Sequence, residues 1–380
     1  MKKLLIVVNV DWAFISHRLI IAEHAVRNGW EVYVATNDTG RAMEIIDKGI
    51  KFIPVNISRS GTNILQEIRT IFQFYNIYSQ IRPDVVHHVT FKPVIYGSII
   101  SKLLGIKGTL NAISGLGYNF TSNRRGFVQN MMIILMKFGF RQKNLAVIFQ
   151  NEDDYREVLS LGVINKNNKI NFIKGSGVNL DLFRYTPPVK KEKLQILLPT
   201  RMLWDKGVAE LREASNILKH KYRDSVMFIL SGIADNDNNA GVSDKYLKDW
   251  EEPNYVKWIG FVKDMPEVYS ASDIVVLPSY REGIPKSLIE ACAAGRPIVT
   301  TNSIGCKECV DEGINGYKVP IKSTVELAVA IEKLILSESD RLIMGKKSRE
   351  KAEKEFSEIT VVNHHLKIYN NLLNIDWVKK

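Results

Sequence analysis

Residues 271–301 read ASDIVVLPSYREGIPKSLIEACAAGRPIVTT, and no other stretch restricts the possible folds as much. Ile274, Val275, Val276 and Leu277 form a short unbroken apolar run with β-branched side chains, the pattern of a strand covered on both faces. Pro278 and Ser279 stop it, and Arg281, Glu282 and Gly283 read as a turn. Pro285 suits the first position of a helix, where no N–H is required. Residues 286–294 then read as helix, with Gly295 as a C-cap and Pro297 barring continuation. Ile298, Val299 and Thr300 begin another strand. The spacing predicts a strand–turn–helix–strand unit of an α/β sheet.

Two carboxylates frame the unit, Glu282 in the turn and Glu290 on the helix. Ligands of open α/β sheets bind outside the carboxyl ends of the strands, where a helix N-terminus aims free N–H groups at an anion such as a diphosphate. An acid one or two turns into that helix can reach ribose hydroxyls, and an acid in the turn can reach a sugar. The same spacing also fits a surface loop acid and a helix acid paired with a nearby lysine. A second candidate anion site follows the apolar run at 195–198, where Arg201 and Lys206 lie between a strand and a helix. Arginine offers forked hydrogen bonds and lysine a mobile point charge, so the pair can clamp a diphosphate. A solvated loop pair is the plainer alternative.

A chain of 380 residues exceeds one ordinary core, so two domains are expected. No run reaches about 18 uninterrupted apolar residues, so no membrane span is predicted. The start, MKKLLIVVNVDW, is too short in its apolar part for a signal peptide and reads as a first strand. The three cysteines, Cys292, Cys306 and Cys309, exclude a disulfide framework and suit a reducing cytoplasm. The lone CxxC lacks further ligands at zinc spacing, so no metal site is expected. Net charge is lopsided: residues 1–180 carry +10 and residues 181–380 carry +1. Residues 85–151 contain no acid but hold Lys92, Lys102, Lys107, Arg124, Arg125, Lys137, Arg141 and Lys143. A one-sided basic half implies an anionic partner: nucleic acid, a membrane surface or a phosphorylated substrate.

Along the chain, strand 4–8, helix 16–28 and strand 31–36 open in doubly wound style, without the GxGxxG of a dinucleotide site. The first loop, NVDWAFISHR, has no glycine; His17 and Arg18 in it suit either anion binding or a surface helix face. Helix 40–49, strand 51–55, amphipathic helix 62–81 and buried strand 83–89 follow. Thr90 and Lys92 sit at the end of that strand, with Lys92 expected to contact an anion. Gly115 and Gly117 make a loop able to approach an acceptor, or an ordinary strand-to-helix turn. Phe127–Phe140, FVQNMMIILMKFGF, is the most apolar helical stretch, flanked by bases. It either lies in a membrane interface or packs as a core helix. Strands at 145–149 and 171–173 close the first half, and residues 186–193 read as a linker. The second half adds strands at 195–198, 226–231 and 255–261, a hairpin-like element at 313–319, and helices at 325–336, 340–355 and about 359–373.

The motif EGIPKSLIEACAAGRPIV, with its two glutamates separated by seven residues, resembles the signature of retaining glycosyltransferases of family four. The resemblance implies the GT-B fold: two doubly wound parallel-sheet α/β domains facing across a cleft. Residues 1–185, with a C-terminal helix near 359–375 packing back, would bind the acceptor, and residues 186–358 the nucleotide sugar. By the family's pattern Glu290 binds the ribose, while Glu282 contacts the donor sugar and assists catalysis. Arg201 and Lys206 hold the diphosphate. The turn Gly283, Ile284 and Pro285 lies against the donor, and backbone near Gly260 and Phe261 holds the base. Relatives often place a catalytic histidine after the strand ending near 89; Thr90 occupies that place here, with His88 two residues earlier. A threonine hydroxyl cannot serve as a general base at neutral pH.

The segments TFKPVIYGS and NAISGLGY resemble a bacterial subgroup that extends polyprenyl-diphosphate-linked saccharides for capsule, O-antigen or glycoprotein glycans. That implies retaining transfer from a UDP-sugar co-substrate, without a cofactor or metal. The enzyme would work in the cytoplasm, peripherally on the inner face of the plasma membrane, held to anionic lipid by its basic half. Other GT-B chemistry, nucleotide-sugar epimerisation or phosphorolysis, is the alternative. A nucleic-acid-binding role is the remaining one, but no RNP, helix-turn-helix or finger pattern supports it.

Overall fold

Strands with both faces buried and helices with one buried stripe account for nearly all of the architecture. It was obtained as a computed structural model, which describes residues 1–57, 64–115, 126–187, 191–235, 238 and 240–374. The chain divides into two compact units, one running from Met1 to Ser176 and resuming at Glu358, the other spanning Gly177–Ser357.

The first unit carries β1 (Lys2–Val10), β2 (Trp30–Asn37), β3 (Lys51–Pro54), β4 (Val85–Val89), β5 (Gly108–Ile113), β6 (Leu145–Phe149) and β7 (Lys169–Phe172). They form a seven-stranded parallel sheet in the order β3-β2-β1-β4-β5-β6-β7. Its helices are α1 (Asp11–His17), α2 (Leu19–Arg27), α3 (Ala42–Ile46), α4 (Ile64–Ile81), α5 (Ser98–Leu103), α6 (Phe127–Phe140) and α7 (Glu152–Ser160). The period-two alternation of β1 sends Leu4, Ile6 and Val8 to one face and Leu5 and Val7 to the other, each into its own apolar cluster.

The second unit carries β8 (Leu194–Pro199), β9 (Val226–Ser231), β10 (Val256–Gly260), β11 (Ile274–Leu277), β12 (Ile298–Thr301) and β13 (Gly316–Val319). These make a six-stranded parallel sheet in the order β10-β9-β8-β11-β12-β13. Its helices are α8 (Val208–Tyr222), α9 (Asp244–Lys248), α10 (Met265–Ala271), α11 (Lys286–Ala293), α12 (Thr324–Leu336) and α13 (Glu338–Lys351). A final helix, α14 (Glu358–Leu372), belongs to the first unit, where Val361, Val362, Leu366, Tyr369 and Leu372 enter the cluster under Trp30. The Trp30 and Tyr369 rings meet edge to face at 5.9 Å.

Several elements differ from the sequence expectation, each for a local reason. The expected helix over 16–28 starts at Asp11 and breaks at Arg18, whose φ of −133° interrupts the helical bonding between α1 and α2. The hairpin-like element at 313–319 is β13, paired in parallel with β12. Pro285 lies at the N-cap, one residue before the helix it was expected to begin. β5 and a π-turn over Pro93–Gly97 had no counterpart in the sequence reading. The segment after Gly177 joins the second unit because its backbone is captured there. Arg349 donates to Phe183 O at 2.8 Å, and the buried Arg296 donates to Thr186 O at 2.8 Å.

Candidate active site

In each sheet the chain order reverses at one pair of neighbours, β8 with β11 in the second unit and β1 with β4 in the first. Such switch points open a crevice at the carboxyl ends of the strands. The predicted donor residues follow β8, β11 and, for Gly260 and Phe261, β10; the predicted acceptor residues follow β1, β4 and β5.

After β8 the chain runs to a short turn, Trp204–Lys206, closed by Gly207 at φ 74°. A Cβ on Gly207 would stand 2.2 Å from Pro278 O, so glycine lets this turn press on the end of β11. Two bonds to Asp205 O, from Tyr280 N at 2.9 Å and Ser279 Oγ at 3.2 Å, join the turns. Lys206 is thereby brought to Glu282, with Nζ 2.6 Å from Oε1. Ser279 Oγ also reaches Glu282 Oε1, at 2.9 Å. Burial pulls the Lys206 ammonium pKa down, but Glu282 and Asp205 outweigh it and hold the group above its ordinary value. The repelling charge in that balance is Arg201, which sits beside Lys206, more exposed, with Nη1 3.8 Å from Asp235 Oδ2.

On the far side of the turn, Glu282 N donates to Ile304 O at 3.0 Å. Gly305 packs so closely on the carbonyls of Glu282 and Gly283 that a Cβ would meet Gly283 O at 2.0 Å. Ile284 and Pro285 are buried and lead into α11. Glu290 lies on that helix, one turn beyond Lys286, whose Nζ is 3.9 Å away. The Tyr269 hydroxyl, which donates to Ser287 O at 2.8 Å, also faces it. Burial holds the Glu290 carboxyl above the usual range against the opposing pull of Lys286 and Tyr269. Gly260 ends β10 at φ 63°, its carbonyl taking Gly232 N at 2.8 Å, and Phe261 after it is exposed. The structure thus joins Lys206 and Glu282 directly, while Glu290 lies on the helix that follows the Glu282 turn.

The first unit answers the expectations less evenly. His17 is half-buried, its Nδ1 3.0 Å from Ser176 Oγ. Arg18 does not present an open anion contact: it is 3% exposed and donates to His17 O at 2.9 Å and Ser114 Oγ at 3.2 Å. Burial lowers its pKa to about 10. Lys92 is corrected likewise, because its ammonium is buried in an ion pair with Glu67, which also accepts Tyr96 Oη at 2.8 Å. Thr90 has φ 73°, a strained backbone for a β-branched residue, and its Oγ1 has no hydrogen-bond partner among the described residues. His88 is scaffold: it is fully buried, bonded to Tyr78 Oη at 2.8 Å and Asn111 Oδ1 at 2.7 Å, and burial lowers its pKa to about 4. Gly115 turns at φ 106°, whereas Gly117 lies outside the described residues.

Two residues that the sequence reading passed over organise these loops. Asp11 is fully buried and accepts Thr39 N, Thr39 Oγ1 and Trp12 N, each at 2.6 Å, so an acid shapes the glycine-free first loop. Ser279 is the other. The three cysteines are free, buried core thiols; burial pushes Cys292 and Cys306 up to about 12. Asp235 pairs with Arg201, while Asn236 and Asp237 lie outside the described residues. Among the described residues no cluster of three metal-ligating side chains occurs.

Residues 182–351 match the model of glycosyl transferases group 1, and residues 3–151 match the glycosyl transferase 4-like model. The chain is 29% identical over 360 residues to an N,N'-diacetylbacillosaminyl-diphospho-undecaprenol alpha-1,3-N-acetylgalactosaminyltransferase of Campylobacter jejuni, covering 90% of this chain and 92% of that one. It is 21% identical to a UDP-Gal:alpha-D-GlcNAc-diphosphoundecaprenol alpha-1,3-galactosyltransferase of Escherichia coli, covering 90% of each. In fold it is similar to a glycosyltransferase of Rickettsia africae, with TM-score 0.78, 20% identity and 99% of both chains covered. It is also similar to HepE of Anabaena in complex with UDP, with TM-score 0.77, 17% identity, and 98% of this chain and all of that one covered. Two parallel α/β sheets, the paired family models and the site motifs agree: the chain belongs to the group 1, family-four glycosyltransferases of the GT-B fold.

Proposed function

We propose that this glycosyltransferase moves a hexose or N-acetylhexosamine, with retention, from a UDP-sugar to a saccharide carried on a polyprenyl diphosphate. The observation that carries the proposal is the Lys206–Glu282 ion pair, formed beside Arg201 by the turns that follow β8 and β11 at the switch point. In this reading Arg201 and Lys206 take up charge on the departing diphosphate, aided by the positive end of the α11 dipole. Glu290 accepts from the ribose hydroxyls, and Glu282 orients the donor sugar. Backbone at Gly260 and Phe261 meets the base, and Gly283, Ile284 and Pro285 line the donor. These cations do the work a divalent ion does elsewhere, so turnover is expected in EDTA.

The acceptor is assigned to the first unit, around His17, Thr90 and Gly115. The two relatives named above act, by their descriptions, on diphospho-undecaprenol-linked sugars, which supports a lipid-linked acceptor here. A lipid acceptor calls for a lipid surface. No helix among the described residues is long and apolar enough to cross a membrane. α6 instead buries Ile133, Met136 and Phe140 while exposing Phe127, Met131, Ile134 and Phe138. It is thus a core helix on one side and an apolar surface on the other. α4 adds a second stripe, Leu65, Ile68, Phe72 and Tyr75. With exposed bases Arg69, Arg141 and Lys143 nearby in sequence, and no acid from 85 to 151, this face suits the anionic inner surface of the plasma membrane.

The test is a screen of radiolabelled UDP-sugars against a polyprenyl-diphosphate disaccharide in EDTA. A longer lipid-linked product with an α linkage supports the proposal. An isomerised nucleotide sugar or a sugar phosphate supports epimerisation or phosphorolysis instead.

A further inference from the structure

Ser279 lies at the end of β11, fully buried, and no part of the donor reading uses it. Its carbonyl is gripped by two hydroxyls, Thr301 Oγ1 and Ser303 Oγ, the latter at 2.9 Å. Its own hydroxyl has one proton and two acceptors in reach, Glu282 Oε1 at 2.9 Å and Asp205 O at 3.2 Å. The Asp205 carbonyl already receives Tyr280 N at 2.9 Å, so it does not depend on the serine. Glu282 Oε1 receives only two side-chain bonds among those described, from Lys206 Nζ and Ser279 Oγ.

We propose that Ser279 is a positioning residue that keeps the Glu282 carboxylate in place when the donor diphosphate draws Lys206 away. The inference rests on the donor-site reading above, in which Lys206 serves the leaving group and Glu282 the sugar. One ammonium cannot hold both anions equally well. As Lys206 turns to the phosphate, its bond to the carboxylate lengthens or breaks. The serine proton then commits to Glu282, and the carbonyl grip from Thr301 and Ser303 keeps the serine from following the lysine. Glu282 therefore meets the sugar in one orientation instead of several.

The experiment is a double-mutant cycle on the full chain, with whichever UDP-sugar the donor screen identifies. kcat, KM for the donor, UDP affinity and melting temperature are measured for wild type, Ser279→Ala, Glu282→Gln and the double variant, with excess enzyme for the slow ones. Ser279→Ala is expected to lower kcat roughly 10-fold or more, the scale of a hydrogen bond to a charged group, with UDP affinity within about 2-fold of wild type. In the Glu282→Gln background the same change is expected to have little further effect. An equal fall in both backgrounds, or wild-type kcat in Ser279→Ala, overturns the proposal alone. Wild-type turnover in Glu282→Gln overturns the donor reading and the proposal together. Should Ser279→Ala not fold, Ser279→Cys replaces it: a weak donor of similar size must also lose kcat, and unchanged kcat overturns the proposal.

Discussion

Lys206 Nζ stands 2.6 Å from Glu282 Oε1, and the two side chains are only 11% and 18% exposed. They come from turns 76 residues apart in sequence, joined through Asp205 O and Gly207. Removing one partner strands a largely desolvated charge, which is more damaging than losing the bond itself. Lys206→Ala is expected to lose roughly 2 kcal/mol of stability and more than about 10-fold in UDP affinity. The double variant Lys206→Met with Glu282→Gln should regain most of the melting temperature while remaining inactive. Calorimetry with UDP and thermal melts separate the two effects; wild-type UDP affinity in Lys206→Ala removes the lysine from the site.

Glu290 carries the pH signature of the proposed donor site. Its carboxyl is held above the ordinary value by burial, so the fold favours its protonated form. Its contribution to stability is present below the unfolded value and is lost as pH rises through the folded one; at neutral pH the ionised form is the strained one. If the carboxylate accepts from ribose hydroxyls, acidification weakens UDP binding at a pH where an exposed glutamate would still be ionised. UDP titrates too, so the comparison is with Glu290→Gln. Affinity of wild type should fall more steeply than that of the variant between pH 7 and pH 5, and parallel curves would argue against a ribose contact.

Much of this was readable beforehand, and the reason is local. The unit from Ile274 to Thr301 is specified by consecutive residues: a β-branched run, a Gly-Ile-Pro entry, an alanine-rich helix and a Gly-Arg-Pro stop. What escaped was non-local. Lys92 looked like a free cation because its partner, Glu67, lies 25 residues away on a helix. Arg18 could be read as a surface base because nothing nearby in sequence announces its bond to Ser114 or its nearness to Tyr369 of α14. Asp11 drew no role from the sequence, because the Thr39 and Arg41 amides it collects besides that of Trp12 come from a distant loop. Pattern reading sees period and punctuation; it does not see which distant loop supplies the other half of a hydrogen bond.

Asp11 gives a stability test in the first unit. Burial alone would raise its pKa, but the Thr39 hydroxyl and amide and the Trp12 and Arg41 amides together depress it below the ordinary value. A depressed carboxylate stabilises above its unfolded pKa of about 4, and that stability is lost as pH falls through the folded value. Asp11→Ala leaves several donors without an acceptor and should cost about 2–4 kcal/mol in urea unfolding at pH 7. Part of the difference from wild type should disappear near pH 3.

Gly207 and Gly260 both have positive φ, 74° and 63°, but only Gly207 is crowded by backbone. An alanine at Gly260 meets open space and should cost only the left-handed penalty of about 1–2 kcal/mol. An alanine at Gly207 adds a collision with Pro278 O to the same penalty, pushing the Lys206 turn off β11. Thermal melts of Gly207→Ala and Gly260→Ala should therefore differ, with Gly207→Ala clearly the less stable. Equal melting temperatures would mean that the two turns are not held together as described.

α4 and α6 cover the same face of the seven-stranded sheet, through Phe74 and Tyr78 on one helix and Ile133, Met136 and Phe140 on the other. Their opposite sides therefore point away from the core, and both are apolar: Leu65 and Phe72 are 78% and 63% exposed, Phe127 and Ile134 84% and 65%. Lys102 Nζ lies 3.9 Å from the Phe138 ring centroid, so bases stand among the apolar groups. An anionic bilayer satisfies both features at once. Phe72→Glu and Ile134→Glu touch no core, so their melting temperatures should match wild type within about 0.5 kcal/mol of stability. Each should lower affinity for anionic phospholipid vesicles by more than about 10-fold in flotation assays, because one large apolar side chain is lost from the hydrocarbon boundary. Raising salt to about 0.5 M should weaken wild-type binding by screening the bases. Unfolding of Ile134→Glu would make α6 core on both sides, and unchanged vesicle binding by both variants would remove this face from the proposed membrane contact.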